Sequence, residues 1–255
     1  MECVSYQFNT DKLVIYPIGD MHIGSKGSYY QQALKQLDEN EEAKIILMGD
    51  LVDNAILNSV GDVYSEIENP QSQLRIVRDI LEKYRDRILG IVGGNHERRS
   101  IKAVGIDIMQ LFAEAYSIPY SDSILTIDIS LSIEGKQLVG KRNRINYVIN
   151  CVHGFAGGKG AAKSVRQGEQ FSDMYINGDI FITGHTHIPS STKLSRYEYD
   201  THNKVIRTVN YHVVNIPAWV RETYAEQKGL KPTADAKVKI TLFACKPKKA
   251  EVSIE

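Results

Sequence analysis

Five short stretches of the chain hold residue types that bind divalent metals: Asp20 with His22, Asp50 with Asp53, Asn95 with His96 and Glu97, His153 before Gly154, and His185 with His187. Carboxylate, amide and imidazole donors in one set suit a pair of divalent transition ions. Two such ions held about 3.5 to 4 Å apart can share a hydroxide, clamp phosphate oxygens and stabilise the charge that develops during in-line displacement. Two aspartates against two dications leave a positive surplus, so a pocket of this kind attracts anions whatever the charge of the whole chain.

The elements that must position these residues are legible around them. Most of the five stretches follow an apolar, β-branched run: Leu13 to Ile15, Ile45 to Met48, Ile88 to Val92, Tyr147 to Val152, and Ile180 to Ile182. Ligands at the carboxyl ends of strands in an open α/β sheet converge on one crevice. Helical spacing over 29–37, over 71–84 (Leu74, Val77, Ile80 and Leu81 on one face) and over 100–116 gives the first half a βαβ rhythm, with parallel strands and helices outside. The second half changes character, with strands expected over 124–133, 145–152, 192–199, 205–214 and 237–243. Two sheets face to face are the expected result. No repeat or low-complexity linker divides the chain, so 1–255 reads as one domain, the strands of about 190–255 completing the second sheet.

Composition removes several alternatives. No run approaches the apolar length of a membrane span, and the first residues lack the basic and apolar parts of a signal peptide, so the expected location is cytoplasmic and no membrane partner is expected. The three cysteines, Cys3, Cys151 and Cys245, have unrelated spacings and no CxxC, which suggests neither a disulfide framework nor a zinc ribbon; Cys151 reads as a small core residue. Formal net charge is zero, so nothing global draws the chain to nucleic acid or anionic membrane. Irregular stretches over 54–69, 155–168 and 218–235 are free to shape a substrate pocket. The second is rich in glycine and lysine but lacks the GxxxxGK[ST] order of a phosphate loop. The basic cluster from Lys136 to Arg144 reads as a solvated hairpin end, with a nucleic-acid contact as the alternative.

Singly these motifs are weak. Together, the ordered set DxH, GDxxD, GNH(E/D), HG and GHxH resembles that of the calcineurin-like metallophosphoesterases and spans roughly residues 13–190. The resemblance implies a four-layer α/β/β/α sandwich. By motif position it implies one ion held by Asp20, His22, Asp50 and His187 and a second by Asp50, Asn95, His153 and His185, with Asp50 bridging. Manganese is the expected metal, iron and zinc being the other ions such a set accommodates. In the resembled family the histidine at the position of His96 protonates or stabilises the leaving oxygen, and the aspartate at the position of Asp53 orients it. That dyad makes chemical sense, because a carboxylate on one imidazole nitrogen fixes the ring and raises its basicity while the other nitrogen donates.

The same resemblance narrows the substrate. Protein phosphatases of the superfamily carry arginine directly after GDxxD, where this chain has Asn54. Nuclease-type members keep the histidine of the GN motif, as here. The expected activity is hydrolysis of phosphodiester bonds in nucleic acid, DNA or RNA, or in nucleotides, by a stand-alone enzyme of the bacterial or phage type. A phosphomonoesterase is the alternative, and a metal-binding scaffold module is a third reading, which the complete ligand set disfavours. Of Arg98 and Arg99, adjacent on a starting helix, at most one is expected to face the site. Trp219 fits either a pocket wall or a core anchor, and His202 and His212 lie outside every motif.

Overall fold

The structure, a computed structural model, describes residues 1–56, 63–64, 66–133, 144–155, 160–229, 232 and 234–255. In chain order the elements are β1 (Glu2–Asn9), β2 (Lys12–Ile18), α1 (Tyr30–Asp38), β3 (Lys44–Leu47), α2 (Pro70–Tyr84), β4 (Ile88–Val92), α3 (Arg98–Val104), α4 (Ile108–Tyr116), β5 (Tyr120–Ser121), β6 (Ile124–Ser132), β7 (Arg144–Val152), α5 (Ala161–Ser172), β8 (Ile180–Thr183), β9 (Ser190–Asp200), β10 (Val205–Asn215), α6 (Glu222–Lys228), β11 (Val238–Phe243) and β12 (Lys249–Ile254).

Strands in the order β12-β11-β2-β3-β4-β5 form one six-stranded sheet, and β1-β6-β7-β8-β10-β9 form the other. Both are mixed: β2 to β5 run parallel, with β11 antiparallel to β2 and β12 antiparallel to β11, and β7, β8 and β10 run parallel between antiparallel neighbours. The sheets pack face to face over a core that includes Ile15, Ile46, Ile127, Ile149, Ile182 and Ile240. On the outer face of the first sheet, Ala33 and Leu37 of α1, Val77 and Leu81 of α2 and Met109 of α4 cover Ile45, Leu47 and Ile91. On the outer face of the second, Phe171 of α5 packs on Phe181, Tyr211 and Val213. Helix, sheet, sheet and helix therefore make four layers.

Three expectations need correction. The strands beyond residue 190 do not all complete the second sheet: β9 and β10 do, whereas β11 pairs antiparallel with β2 and carries β12 onto the first sheet. Its Val238, Ile240 and Leu242 enter the inter-sheet core beside Leu13 and Ile15, and the pairing covers an edge of β2 that would otherwise stay open. The helix expected over 100–116 is two helices. Gly105 closes α3 in a left-handed conformation, and the Asp107 side chain caps α4 by accepting from the Gln110 amide. Within 155–168, α5 forms with a buried face that is largely polar, Ser164 and Gln167 beside Phe171, so apolar periodicity does not betray it. The stretch Lys136 to Arg144 lies outside the described residues except for Arg144, the first residue of β7. No helix among the described residues is long and apolar enough to cross a membrane.

Ile149, fully buried where β7 meets the first sheet, tests the inter-sheet core. Ile149→Ala is expected to lower unfolding stability by about 2 to 5 kcal/mol in urea titration with the m-value unchanged; a loss within error of zero would contradict the packing described.

Candidate dinuclear metal centre

All five motif stretches meet where the carboxyl ends of β2, β3 and β4 in one sheet face those of β7 and β8 in the other. Asp20 and His22 follow β2, Asp50 and Asp53 follow β3, Asn95 and His96 follow β4, His153 follows β7, and His185 and His187 follow β8. The loops leave the strands sharply. Asp20, His22, Asp50, Asn54, His185 and His187 all take positive φ, between 45° and 67°, and only two other non-glycine described residues do so. Such conformations cost of order 1 to 3 kcal/mol each and persist where surrounding structure enforces them. Gly94 is required by contact: a Cβ there would lie 2.2 Å from both the Asp50 amide nitrogen and Asp50 Oδ1.

The side chains that meet are nearly all buried. His22 Nε2 and His187 Nε2 face each other at 3.2 Å, with Asp20 Oδ1 3.4 Å from the latter and 4.0 Å from the former. His153 Nε2 lies 3.0 Å from Asn95 Oδ1 and 3.3 Å from Asp50 Oδ2. Ligand atoms fall within 4.8 Å of one another in three groups: Asp20, His22 and His187; His22, Asp50 and His96; and Asp50, His153 and His185. The first holds three of the four residues expected at one ion and the last three of the four expected at the other; Asp50 belongs to the middle and the last groups.

The far ring nitrogens are tied down. His153 Nδ1 donates to the Met48 carbonyl at 2.8 Å, His22 Nδ1 lies 3.2 Å from Asp53 Oδ1, and His96 Nδ1 lies 2.7 Å from the Asp53 carbonyl oxygen. Each partner fixes its ring so that Nε2 points into the cluster, an arrangement that orients metal-binding histidines. Asp20 Oδ1 is buried with no hydrogen-bond partner, while Asp20 Oδ2 accepts from the His185 amide. A buried carboxylate oxygen with no hydrogen-bond partner, beside two imidazole nitrogens that face each other, fits a cation. The donor set thus fits divalent metal on the geometry of this chain alone.

Electrostatics agree. Burial opposes charge on Asp50, but His153 and His96 outweigh it and hold the carboxyl well below the usual range. Burial also opposes charge on His153, yet Asp50 dominates and the ring is pushed up to about 10. His22, hemmed in by burial and by His96, is pushed down to about 4. The Asp53 carboxyl is held low against its own burial by bonds to His22 and His96.

Asp53 serves His96 differently from the expectation. Its carboxylate is shared, nearer His22 than His96, for which Oδ1 to Nδ1 is 3.4 Å, and the closer partner of His96 is the Asp53 main-chain carbonyl. Arg99 turns inward, donating to that carbonyl at 2.6 Å and approaching His96 Nε2 at 3.1 Å, whereas Arg98 is exposed and donates to the Asp122 carbonyl. Asn54 is turned away from the cluster, donating to the His96 carbonyl at 2.8 Å and to Ser100 Oγ at 3.0 Å. Trp219 is a core anchor: it packs with the first sheet's outer core, and its amide donates to the Asp20 carbonyl. His202 lies exposed in the β9–β10 turn and His212 within β10, both away from the cluster.

Three residues outside the expected ligand sets and the His96–Asp53 dyad hold the site. The buried Glu97 carboxylate accepts from the amides of Asp50, Leu51 and Gly94 at 3.0, 2.7 and 3.0 Å, joining the loops after β3 and β4. Gln73 of α2 accepts from the Asn54 amide at 2.8 Å; its signal was a glutamine on the helix's apolar stripe, in register with Val77 and Ile80. Tyr224 stacks near His22 with ring centroids 5.0 Å apart, in a stretch without any pattern.

Two expectations follow. Metal analysis of chain purified without chelator is expected to approach two divalent ions, with Asp50→Asn losing metal and Glu97→Gln weakening it by about 10- to 100-fold; unchanged stoichiometry and affinity in both variants would contradict this geometry. Because His153 lies raised, its ring holds a proton at neutral pH that must leave before Nε2 can bind metal. Manganese added to weakly buffered apoprotein near pH 7 should therefore acidify the solution, and affinity should rise with pH up to about 10; metal uptake with no proton release would show that the site is already deprotonated.

The comparisons with known proteins bear on which family arranges residues this way. No curated protein matches the chain. Among solved structures it is similar to YfcE, a phosphoesterase from E. coli (13% identity, 94% of this chain and 98% of that one, TM-score 0.42), to a predicted phosphoesterase from Streptococcus pneumoniae TIGR4 (12%, 96% and 98%, 0.36) and to Chaetomium thermophilum Vps29 (12%, 95% and 97%, 0.38). At those scores the likenesses carry no weight beyond their record. The family model for the calcineurin-like phosphoesterases matches residues 13–205, a span that contains every residue of the cluster, and the chain belongs to that family.

Proposed function

We propose that the chain is a dinuclear metal-dependent phosphoesterase that hydrolyses phosphodiester bonds, with nucleic acid or nucleotides as the substrate class. The observation that supports this most is the unsatisfied Asp20 Oδ1 beside the facing Nε2 atoms of His22 and His187, with Asp50 and the His153 group alongside. On this reading Asp20, His22, Asp50 and His187 hold one ion and Asp50, Asn95, His153 and His185 the other. When bound, two such ions supply Lewis acidity toward phosphate oxygens and lower the pKa of attacking water; manganese is the ion we expect, ahead of iron or zinc.

The remaining steps belong to side chains. His96 Nε2 lies 3.7 Å from Asp50 Oδ2 and 3.1 Å from an Arg99 guanidinium nitrogen; on this reading it delivers a proton to the leaving oxygen once substrate draws Arg99 away. Burial works against charge on this ring, but Asp50 and Asp53 outweigh it and raise its pKa, with Arg99 acting the other way. The Asp53 carbonyl and carboxylate hold the ring in place. Asn54 leaves the position after GDxxD without a cation and spends its amide on the His96 carbonyl and Ser100, stiffening the turn beneath the histidine. These residues suit a monoanionic diester whose unactivated alkoxide needs a proton.

Arg99 favours a second reading. Its guanidinium lies against the main-chain carbonyls of Asp53 and Asn54, so a cation reaches the neighbourhood from α3 although residue 54 supplies none. A dianionic monoester would gain more from it than a diester.

A panel of aryl diester, aryl monoester, cyclic nucleotide and single- and double-stranded DNA with manganese separates the readings. We expect kcat/KM to be higher for diesters than for monoesters; monoester preference over every diester would move the chain to the phosphatase reading. His96→Ala is expected to slow turnover about 10²- to 10⁴-fold on poor leaving groups and less on nitrophenyl esters, with metal content retained. A defect independent of the leaving group would remove His96 from proton transfer.

A further inference from the structure

The chain's zero net charge conceals an uneven distribution. At the end of the sandwich opposite the metal centre, where β7 begins and the β11–β12 turn crosses toward β9 and β10, lies an open groove of about 1410 Å³. From Arg144 in the groove, β7 runs about 26 Å to Val152 beside His153, while the groove's wall at Asp179, His212 and Lys193 lies at the start of β8, one four-residue strand from the centre. Six cations line it, Arg144, Lys193, Arg207, Lys246, Lys248 and Lys249, against one carboxylate, Asp179. Lys248 pairs with Asp179 and Lys249 with Glu251, both at 2.6 Å, and Arg207 pairs with Asp200 at 2.7 Å. Among the described residues Arg144, Lys193 and Lys246 make no ion pair.

The wall formed by β9 and β10 adds a second kind of group. Lys193 opposes His212, Ser195 opposes Asn210, Tyr197 opposes Thr208 and Tyr199 opposes Ile206, so these residues share one face of the ribbon. The other face carries Leu194 and Tyr211, which pack against the Phe171 cluster of α5. The groove-side face thus runs from cations and amides, through Thr208 and Asn210 in the groove, to two exposed tyrosines beyond its rim: Tyr197 is 82% exposed and Tyr199 59%.

We propose that this groove and the adjoining tyrosine face form a binding surface for single-stranded nucleic acid, separate from the hydrolytic site. Unpaired cations beside hydroxyl and amide groups suit a phosphodiester backbone, and exposed aromatic rings on the same face suit unstacked bases. A duplex keeps its bases from the rings, an acidic peptide has no use for them, and a planar bilayer does not enter a concave wall. The surface does not depend on the hydrolytic reading and is read by binding alone.

The test is fluorescence anisotropy of a labelled phosphorothioate oligothymidine of about 15 nucleotides with the full chain and manganese. Three unpaired cations predict a salt slope of log K against log salt near −2. Tyr197→Ala should weaken binding on the order of tenfold while Tyr197→Phe preserves it, and Lys193→Glu combined with Lys246→Glu should weaken it by more than tenfold and flatten the slope. Aryl diester hydrolysis by these variants should equal the parent's. A chain that binds the oligonucleotide as described but hydrolyses no ester keeps this surface and loses the hydrolytic reading. Unchanged affinity in the groove variants, or equal groove-dependent binding of a duplex or polyglutamate of similar length, would overturn the proposal.

Discussion

Asp50 is the point on which the site depends. It is 1% exposed, directly follows the left-handed Gly49, and stands where the edges of the two sheets face each other. Its Oδ1 accepts from the His96 amide at 2.9 Å and its Oδ2 faces His153 at 3.3 Å, so one carboxylate links loops from both sheets. A buried carboxylate is costly unless positive partners surround it. Three neighbouring features answer that need: the imidazoles of His153 and His96, the His96 amide, and the place for divalent ions. Glu97 adds a second buried carboxylate whose oxygens hold the Asp50 and Leu51 amides, and burial together with Asp50's own charge pushes its carboxyl up.

That crowding explains where backbone strain is kept. Six of the eight described non-glycine residues at positive φ belong to the cluster or its supporting turn, and the elements that tolerate them are among the most completely buried of those described. β3, β4 and β8 are buried at almost every residue, and the inter-sheet core lies directly beneath their ends. Gln167 of α5, bonded to the Phe155 amide and the Gly184 carbonyl, pins the loops after β7 and β8 from outside. A rigid two-sheet base therefore holds loops that no local propensity would form, the arrangement by which an active site is preorganised for charge that appears only during reaction.

Much of this could be read from sequence because the ligand loops follow short apolar strands, and the β-branched runs at residues 45–48, 88–92 and 180–182 announce buried parallel strands. That the five stretches would meet was equally legible, since each lies at a strand end. What stayed hidden depended on partners remote in sequence. β11 and β12 alternate like edge strands of either sheet, and only the open side of β2 decides between them. The face of α5 is polar because it serves loop amides and carbonyls, which removes the periodicity that would mark a helix. The division of labour within Asp53, main-chain oxygen to His96 and side chain nearer His22, has no sequence signature.

The most direct measurement of the central claim is anomalous scattering from crystals of the chain grown with manganese. Two peaks about 3.5 to 4 Å apart are predicted, one among Asp20, His22 and His187 and the other among Asn95, His153 and His185, with the Asp50 carboxylate between them. A single peak, or two that leave Asp50 outside both coordination spheres, would contradict the account.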